Sequence, residues 1–444
     1  MKSENIAAIA TAIQAAGIAV IRISGDSPLQ VAEKIFKPAG KVAVADFTPN
    51  FMYAGEINAD DFTDFGMCVY FKAPKSFTGE DTVEFHIHGG VAITQGVLKK
   101  ILSSGARLAV NGEFTKRAFM NGKLSLASAE GLIDMINSES VSGVKAGYSL
   151  YRERLTAKVG ALQEKLLAAL SQIDADIDFP EEGLEETSLK QVKEILCAVI
   201  EEINALIATF RVGRRLVSGV KVAICGKPNV GKSSLLNALL NYDKAIVSDV
   251  PGTTRDVVEG SVDISGARFN FYDTAGIRDA DDGVEKLGVK LSEKTAAASD
   301  LVLFVMSASG IDKGDEKVYG QIKDYPHITV INKIDAGAAQ DGRTDIYVSA
   351  KTGEGIDGLR ALLYEKCVGK VDVNGDFLCE ERHYNALLSA REKLNAAFNA
   401  ADDVPLDILS VDILGGWQKL GEISGKTATE EIIDDIFSRF CVGK

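Results

Sequence analysis

The middle of this chain contains the segment Val222–Leu240, VAICGKPNVGKSSLLNALL. An apolar run leads into a loop of the pattern G-x-x-x-x-G-K-[ST], from Gly226 to Ser233, and a segment with helical periodicity follows. The glycines let the backbone bend so that its N–H groups face phosphates, and the positive end of the following helix also attracts them. Lys232 is expected to reach the β- and γ-phosphates, and the Ser233 hydroxyl to ligate Mg²⁺. The stretch therefore predicts a nucleotide-binding strand, loop and helix.

Around this stretch, strand-like and helical segments alternate from residue 220 to residue 368. The strand-like runs are VKVAICG, FNFYD, DLVLFVM, ITVIN and DIYVSA. Continuous apolar runs separated by helical patterns are typical of a parallel sheet that is covered by helices on both faces. We therefore predict a Ras-like α/β domain over residues 220–368.

The base is expected to be guanine, because the segment VINKIDA contains Asn332, Lys333 and Asp335 in the order N-K-x-D. The aspartate accepts two hydrogen bonds, from the N1–H and the 2-amino group of guanine, and adenine offers no such pair of donors. A pattern this short also fits a turn that caps a helix. Its place directly after a buried-type strand, downstream of the phosphate loop, favours guanine. The segment YVSAKTGEG is expected to form the loop behind the base.

Two further motifs complete the set that GTPases carry. They are GTTRD, from Gly252 to Asp256, and DTAG, from Asp273 to Gly276. All five motifs occur in order, which predicts GTP binding. The residues expected to contact GTP are Asn229, Val230, Gly231, Lys232, Ser233, Ser234, Ser248, Asp249, Val250, Pro251, Gly252, Thr253, Thr254, Asp273, Thr274, Ala275, Gly276, Asn332, Lys333, Asp335, Ser349, Ala350 and Lys351.

One expected part of the hydrolytic site is missing. Ile277 stands where Ras-like GTPases carry a water-positioning glutamine, and an aliphatic side chain cannot hold water. Glu285 begins a helical segment downstream, but most acidic residues there, Glu285 among them, also fit a solvated loop or a helix cap. The downstream candidates are Arg278, Asp279, Asp281, Asp282 and Glu285.

Metal binding and charge compensation involve other positions. Either Thr254 or Thr253 is expected to close over Mg²⁺ and the γ-phosphate, while Asp273 holds the metal through water. The transition state needs a cation, and Arg255 is the nearest arginine in the chain. Asn229 instead offers a neutral oxygen that suits an alkali cation, although this residue also fits a turn.

The flanking regions differ in pattern from the nucleotide-binding domain. Residues 1–120 show short apolar runs broken by Gly, Pro and Asn, which predicts a compact α+β domain. Residues 121–219 and 369–444 show apolar residues at helical spacing, and the first long helix is expected to end before Pro180. We expect one helical domain made of these two segments, with the domain of residues 220–368 inserted between them.

The composition is typical of a soluble globular protein. Of the 444 residues, 46% are hydrophobic and 25% are charged. The net charge of −14 disfavours general coating of nucleic acid or anionic membrane, although a local basic site for RNA stays open. The six scattered cysteines indicate neither disulfides nor a zinc knuckle. Since no apolar run is long enough to span a bilayer, we expect a cytoplasmic protein that makes no membrane contact.

The chain resembles the MnmE (TrmE) family of tRNA-modification GTPases over essentially its full length. Motifs outside the GTPase set carry the resemblance, and few other GTPases combine them. They are IRISG (Ile21 to Gly25), SFTGEDTVEFHIHGG (Ser76 to Gly90), NGEFTKRAFMNGKLSLASAE (Asn111 to Glu130), DIDFPEE (Asp176 to Glu182) and IFSRFCVGK (Ile436 to Lys444).

The resemblance implies an N-terminal domain that mediates dimerisation and binds 5-formyltetrahydrofolate as a one-carbon donor. On the matching positions, the folate contacts are Arg22, Glu84, Lys123 and Lys444. The chemistry suits this ligand, because an anionic glutamate tail fits the cations and a pterin edge donates paired hydrogen bonds to a carboxylate. Cys441, in the terminal C-x-G-K motif, is either a reactive thiol near the folate or a small buried residue in a docked tail.

Three features of the N-terminal region depart from the family pattern. The segment ATAIQAAGIAV lacks the usual proline- and glycine-rich turn, His86 stands where glutamine is common, and Val91 replaces a proline. These departures concern the folate contacts and leave the GTPase motifs intact. His86 and His88 share a strand face, which packing or hydrogen bonding explains better than a metal does.

The resemblance also implies a mechanism of hydrolysis. The family uses potassium in place of an arginine finger, and its G domains dimerise across the nucleotide face to complete the cation site. Glu285 matches the family's catalytic glutamate, which orients the attacking water through another water. The implied ligands are Asn229, Ser248, Val250 and Thr253 for potassium, and Ser233 and Thr254 for Mg²⁺.

The implied pathway is modification of the wobble uridine of certain tRNAs at C5, giving aminomethyl or carboxymethylaminomethyl groups. A homodimer of the chain would act with an FAD-containing partner, MnmG (GidA), and GTP hydrolysis would drive or gate a conformational change. The alternative is a regulatory or ribosome-associated potassium-dependent GTPase switch without a folate-linked reaction. Folate binding by the N-terminal domain separates these two functions.

Overall fold

The computed structural model describes residues 3–178, 185–241, 260–273, 297–337, 340–369 and 377–444. The chain divides into two compact units. The first consists of Met1–Ile133 with Gln418–Lys444, and the second of Asp134–Trp417.

Strands and helices occur along the whole described chain. The strands are β1 (Ile6–Ile9), β2 (Ala16–Gly25), β3 (Phe36–Pro38), β4 (Met52–Asn58), β5 (Thr63–Phe71), β6 (Asp81–Gly89), β7 (Arg107–Leu108), β8 (Val220–Cys225), β9 (Gly260–Ile264), β10 (Ala267–Asp273), β11 (Leu301–Ser307), β12 (His327–Asn332) and β13 (Ile346–Tyr347). The helices are α1 (Pro28–Glu33), α2 (Val91–Ser103), α3 (Glu113–Met120), α4 (Leu126–Asn137), α5 (Val141–Tyr151), α6 (Arg154–Asp178), α7 (Glu185–Ser218), α8 (Lys232–Asn241), α9 (Lys313–Ile322), α10 (Ile356–Cys367), α11 (Glu381–Ala400), α12 (Leu406–Ser424) and α13 (Glu430–Ser438).

The first unit is built on a seven-stranded sheet with the order β3-β4-β5-β6-β2-β1-β7. Neighbouring strands are antiparallel except β1 and β7, which run parallel. Because side chains alternate between the faces of a strand, Ile21, Ile23 and Phe85 share one face and lie in the core with residues of α1 and α2. The other face of β2 and β6 carries Arg22 opposite Glu84. The predicted α+β fold of the N-terminal region is confirmed.

The C-terminal tail packs within the first unit. An apolar cluster joins α13 to α4, and its buried members are Leu126, Ala129, Ile436, Phe437 and Phe440. Val442 forms an isolated β-bridge with Asn111. Gly443 has a φ of +100°, and a Cβ there would lie 2.2 Å from the Ile9 carbonyl oxygen, so only glycine fits. The tail is thereby held at the end of β1.

The second unit contains the predicted parallel sheet, with the described strands in the order β13-β12-β11-β8-β10-β9. All neighbouring pairs are parallel except β9 and β10, which form an antiparallel hairpin. Residues 301–306 of β11 are buried throughout, as expected for a central strand covered on both faces. Parallel strands end at the same edge of a sheet, so the loops after β8 and β12 lie at the edge where α/β proteins bind ligands.

The helical region of the second unit draws on two segments of the chain, as predicted. In α6 the buried residues recur at helical spacing and include Leu155, Val159, Leu162, Leu166 and Ile173. Both α6 and α11 pack against α7. Helix α6 is described as far as Asp178, where the described range stops, so its end before Pro180 stays a prediction. No helix in the described ranges is long and apolar enough to cross a membrane.

Two helices of this region pack against the parallel sheet. The N–H of Ser142 in α5 donates to the carbonyl of Gly266, in the turn between β9 and β10, at 3.0 Å. Arg215 of α7 donates from Nε to Asp300 Oδ1 at 2.9 Å, directly before β11. The helical region is therefore joined to the sheet that carries the nucleotide-binding motifs.

Candidate nucleotide-binding site

The phosphate loop connects β8 to α8, as the sequence predicts. Gly231 has a φ of +94°, and a Cβ at this position would lie 2.5 Å from Asn332 Nδ2, so the loop requires glycine here. Lys232 is only 8% exposed, and its Nζ donates to the carbonyls of Gly226 at 2.9 Å and Lys227 at 3.0 Å. These bonds hold the Lys232 ammonium against the main-chain carbonyls at the start of the loop. Ser233 and Ser234 lie exposed in the first turn of α8.

Asn332 connects the three loops of the site. Its side chain is 1% exposed, and Nδ2 donates to the carbonyl of Val230 in the phosphate loop at 3.1 Å. Its Oδ1 accepts from the N–H groups of Lys333 at 2.8 Å and Ala350 at 3.0 Å. A buried amide with both ends bonded fixes the geometry of its neighbours. The loops predicted to bind phosphate and base thus form one surface.

The Asp335 carboxylate is held by a hydrogen bond and has a lowered pKa, which suits it to accept hydrogen bonds from a ligand. The Ser349 hydroxyl donates to Asp335 Oδ1 at 2.6 Å. This bond, together with the nearby charges of Lys351 and Lys333, holds the pKa of Asp335 below its ordinary value. The carboxylate is therefore ionised at neutral pH, and an ionised carboxylate accepts hydrogen bonds without donating any.

A cleft of about 780 Å³ lies between these loops, a size suited to a nucleotide. Lys333, with a φ of +66°, closes one side by donating from Nζ to the Asn229 carbonyl at 2.5 Å. The cleft brings together residues from three predicted motifs and adds others that the motifs do not include. Its lining is Gly231, Ser234, Asn237, Ala238, Asn332, Lys333, Asp335, Ala336, Ala350, Lys351, Thr352, Gly353 and Ile356.

Lys227, in the phosphate loop, forms an ion-pair cluster that sequence reasoning missed. Its Nζ lies 2.8 Å from Asp312 Oδ1 and 2.8 Å from Asp315 Oδ2. Asp312 caps α9, and Asp315 is 1% exposed. Hydrogen bonds to Asp312 and Asp315 raise the pKa of Lys227, so the lysine stays charged. The G-x-x-x-x-G-K-[ST] pattern leaves position 227 open, and therefore no sequence signal pointed to this contact.

Several predicted site residues lie outside the part of the chain that the structure describes. The backbone of Asp273 is described as the last residue of β10, but its side chain is not. Ile277 and its downstream alternatives belong to the same undescribed range. The predicted site residues outside the described ranges are Ser248, Asp249, Val250, Pro251, Gly252, Thr253, Thr254, Thr274, Ala275, Gly276 and Glu285.

The first unit contains a separate polar site at Arg22 and Glu84. Arg22 Nε donates to Glu84 Oε1 at 2.7 Å. The guanidinium lies 5.5 Å from the ring centroid of Phe77 and 5.8 Å from that of Phe114, so two aromatic rings contact the cation. His86 Nε2 lies 3.6 Å from Glu84 Oε2. Burial favours a higher pKa for Glu84, but hydrogen bonds and charges from His86 and Arg22 outweigh burial and lower that pKa.

The other two predicted folate contacts, Lys123 and Lys444, have hydrogen-bond partners other than Arg22 and Glu84. Lys123 Nζ donates to the Pro74 carbonyl at 2.9 Å. The Lys444 N–H donates to the carbonyl of Cys441 at 3.3 Å, and Cys441 is exposed. The neighbouring Gly443 contacts the end of β1, the strand paired with the Arg22 strand. The tail therefore ends beside β1, the strand next to β2 in the sheet.

The two strand histidines have different partners. His88 Nδ1 lies 2.6 Å from Asp64 Oδ1, while His86 lies beside Glu84. Within the described residues, no group of three or more His, Cys, Asp or Glu side chains is placed to hold a metal. His88 is thus hydrogen-bonded to Asp64, and His86 lies within ion-pair distance of Glu84.

A second charged network, also missed from sequence, ties α3 to the N-terminal residues. Glu113 Oε1 accepts from Arg107 Nη2 at 2.6 Å and from Arg117 Nη2 at 3.0 Å. Arg117 Nη1 also donates to Ser3 Oγ at 2.8 Å and to Glu80 Oε2 at 3.0 Å. Arg117 therefore serves the packing of the first unit, and sequence reasoning assigned it no role.

Comparisons with known proteins cover the whole chain. Residues 126–441 match the model of the MnmE helical domain, and residues 5–123 match that of the GTP-binding protein TrmE N-terminus. A tRNA modification GTPase MnmE from Caldicellulosiruptor saccharolyticus is 38% identical over 458 residues, covering 100% of both chains. A protein of the same name from Desulforamulus reducens is 40% identical over 461 residues, again covering 100% of both.

A solved structure is similar over part of the chain. A crystal structure of an Aquifex aeolicus Era variant bound to GDP and AlF4 is 31% identical, with a TM-score of 0.27, over 39% of this chain and 66% of that one. The curated relatives, in contrast, match from end to end and agree with both family models. The chain therefore belongs to the MnmE family of tRNA modification GTPases.

Proposed function

We propose that this chain binds and hydrolyses GTP, and that hydrolysis supports modification of the wobble uridine of certain tRNAs at C5. The observation that carries the proposal is the buried Asn332 amide, which joins the phosphate loop, the N-K-x-D turn and the Ala350 loop. The ionised Asp335 lies in the same cleft. Family membership supplies the link to tRNA.

Guanine recognition follows from the protonation state of Asp335. An ionised carboxylate can accept from both the N1–H and the 2-amino group of guanine. Adenine presents an acceptor at N1, which would leave a carboxylate oxygen without its hydrogen bond and repel it. The hydrogen bond from Ser349 fixes one oxygen of this carboxylate, so that it points in a defined direction.

Hydrolysis, in this proposal, depends on Glu285 and on potassium. Glu285 orients the attacking water through a second water, in place of the glutamine that Ile277 replaces. Potassium, when bound, offsets the charge of the transition state as an arginine finger does in other GTPases. Its ligands would be Asn229, with Ser248, Val250 and Thr253 from the segment that G-domain dimerisation orders, whereas Ser233 and Thr254 would hold Mg²⁺.

The conformation of Asn229 supports a cation ligand in the phosphate loop. Asn229 has a φ of +65°, a backbone region that asparagine tolerates better than most residues. Its main-chain carbonyl accepts from Lys333, and the residue itself is exposed. The turn and the cation ligand are therefore compatible roles, since the main chain forms the turn and the residue itself is exposed.

The test of this mechanism is GTP turnover by the full-length protein in potassium and in sodium. We expect faster turnover in potassium, and a loss of about a hundred-fold in Glu285→Ala, in the range of a group that handles the proton of the nucleophile. Asp282→Ala, which removes an acid from the same segment, is the matched control and should keep its activity. Equal rates in both salts, together with an active Glu285→Ala, would overturn the mechanism.

We also propose that the Arg22 and Glu84 site binds 5-formyltetrahydrofolate, with Lys123 and Lys444 as further contacts. The ion pair beside the half-buried Phe77 ring supports this role, because a pterin can pack on an aromatic ring and the carboxylate accepts paired hydrogen bonds. The same unit would form the homodimer. The FAD-containing partner MnmG and a cytoplasmic location complete the proposal.

Folate binding by the full chain tests the second site. Glu84→Gln should bind 5-formyltetrahydrofolate at least about ten-fold more weakly than wild type, since a charge-assisted pair of hydrogen bonds is lost. Glu56→Gln, on the same sheet with a side chain that is 57% exposed, is the control and should bind normally. Failure of the wild type to bind would favour the alternative of a regulatory GTPase switch.

A further inference from the structure

The junction of α5 and α6 exposes aromatic and basic side chains together. One face of α5 is buried and includes Ala146 and Leu150. The opposite face exposes Lys145, Tyr148, Tyr151 and the C-cap residue Arg152 at helical spacing. We call these four residues the α5 surface. The buried face packs on the rest of the second unit, and the α5 surface is exposed in the part of the chain that the structure describes.

Tyr148 and Tyr151 form a pair of solvent-exposed aromatic rings. Tyr148 is 50% exposed and Tyr151 is 37% exposed. Their ring centroids lie 6.5 Å apart with an interplanar angle of 27°, so the rings face in similar directions. Exposed rings of this kind are the platforms on which proteins stack unpaired bases, because every base has a π face.

The cations beside the tyrosines, Lys145 and Arg152, lie in a locally basic segment of the chain. Neither Lys145 nor Arg152 forms an ion pair with any residue in the described ranges. Between positions 145 and 158 the chain has four cations and one carboxylate, although its net charge is −14. Charges in this segment are Lys145, Arg152, Glu153, Arg154 and Lys158. The segment is thus locally basic in an acidic protein, which is the charge pattern that a phosphate backbone requires.

We propose that the α5 surface binds tRNA, with unpaired bases stacked on Tyr148 and Tyr151 and phosphates on Lys145 and Arg152. The inference rests on the proposed function, because that function makes tRNA the substrate. A protein partner on the same face is the competing possibility, since Val141 and Val144 are also exposed. The alternation of cations with stacked rings favours RNA, because a protein interface depletes lysine at its centre.

The test measures binding of a fluorescently labelled tRNA transcript to the full-length protein at several salt concentrations. Tyr148→Ala/Tyr151→Ala should weaken binding about ten-fold or more and leave the salt dependence unchanged, because stacking is not ionic. Lys145→Gln/Arg152→Gln should lower the slope of log K against log salt by about 1.4 to 1.8, since each phosphate contact contributes about 0.7 to 0.9.

A matched control has exposed residues of the same types elsewhere in the second unit. Tyr347 is 40% exposed, and Lys323 is exposed at the end of α9. The double variant Tyr347→Ala/Lys323→Gln should bind tRNA as the wild type does. Unchanged thermal unfolding of all variants establishes that they fold.

Three results would overturn the proposal. Wild-type affinity in both α5-surface variants excludes this surface as the RNA site. Wild-type affinity for tRNA with a lower oligomeric mass in the tyrosine variant means that the surface binds protein instead. No tRNA binding by the wild type excludes RNA at this surface, while GTP turnover in potassium still tests the proposed hydrolysis separately.

Discussion

Single residues with fixed conformations were the most predictable part of the site. Gly231 and Lys232 were predicted because a phosphate loop requires backbone N–H groups and an ammonium at defined positions. Asn332 was predicted from the N-K-x-D order, but its role as a link among three loops depends on contacts between distant segments. The Lys227 cluster and the Glu113 network were not predicted, since the fold chooses the partners of a charged side chain and the sequence carries no mark of them.

Loss of the Lys227 contact should weaken both the fold and nucleotide binding. Lys227→Met leaves the buried Asp315 without its cation, which costs roughly 1–3 kcal/mol of unfolding free energy. It also frees the phosphate loop from α9, so we expect a KM for GTP that is several-fold higher. Urea unfolding and steady-state turnover measure the two effects.

The control for this prediction is Lys221→Met, which replaces an exposed lysine on β8. It should leave stability and KM near their wild-type values. In the double variant Lys227→Met/Asp315→Asn, removal of the buried charge should restore part of the lost stability. Additive losses in the double variant would show that the two side chains do not interact.

Acid should weaken the first unit through Glu113. Burial favours a higher pKa for Glu113, but hydrogen bonds from Arg107, the Val110 N–H and Arg117 lower that pKa to about 2, from an ordinary value of 4.5. A lowered pKa in the folded state means that the contribution to stability is present above pH 4.5 and is lost as the pH falls towards 2. Glu113→Gln should therefore be less stable than wild type at pH 7.

The measurement is urea unfolding of wild type and Glu113→Gln from pH 7 down to pH 2. The difference in unfolding free energy should shrink as the pH falls through this window. Glu56→Gln, an exposed glutamate on β4, should follow the wild-type curve. A difference between Glu113→Gln and wild type that stays constant with pH would contradict the assignment.

In individual helices and strands, the periodicity of apolar residues predicted which residues are buried. The apolar spacing of α6 identified its buried face, and the apolar run of β11 identified a strand buried on both sides. The exposed aromatic and basic face of α5 was not predicted, because a mixed helix face reads as ordinary solvated surface. Whether this face can bind another molecule depends on which side of α5 packs against the protein, and that side is known only from the fold.

Two adjacent leucines in α6 test which face of this helix is buried. Leu166 is fully buried, whereas Leu167 is 53% exposed. Leu166→Ala should destabilise the protein by about 2–5 kcal/mol, since it opens a cavity. Leu167→Ala should change stability by no more than about 0.5 kcal/mol. Similar losses in both variants, measured by urea unfolding, would mean that α6 packs on a different face.

At the scale of the whole molecule, the order of segments was predictable and the limits of the compact units were not. The α+β fold, the two helical segments and the inserted G domain follow from changes of hydrophobic period along the chain. The limits of the two units at residues 133/134 and 417/418 fall inside α4 and α12. Periodicity runs unbroken through these helices, so composition does not mark the limits. It stays a prediction that the boundaries at residues 120 and 368 separate domains with independent functions.

We propose that GTP hydrolysis by this chain is required for wobble-uridine modification. The direct measurement is mass spectrometry of wobble nucleosides from a strain that lacks the gene and is complemented with variants of it. We expect C5-modified uridine with wild type and Asp282→Ala, and unmodified uridine with Glu285→Ala. Full modification in the strain without the gene, or with Glu285→Ala, would show that hydrolysis by this chain is not required.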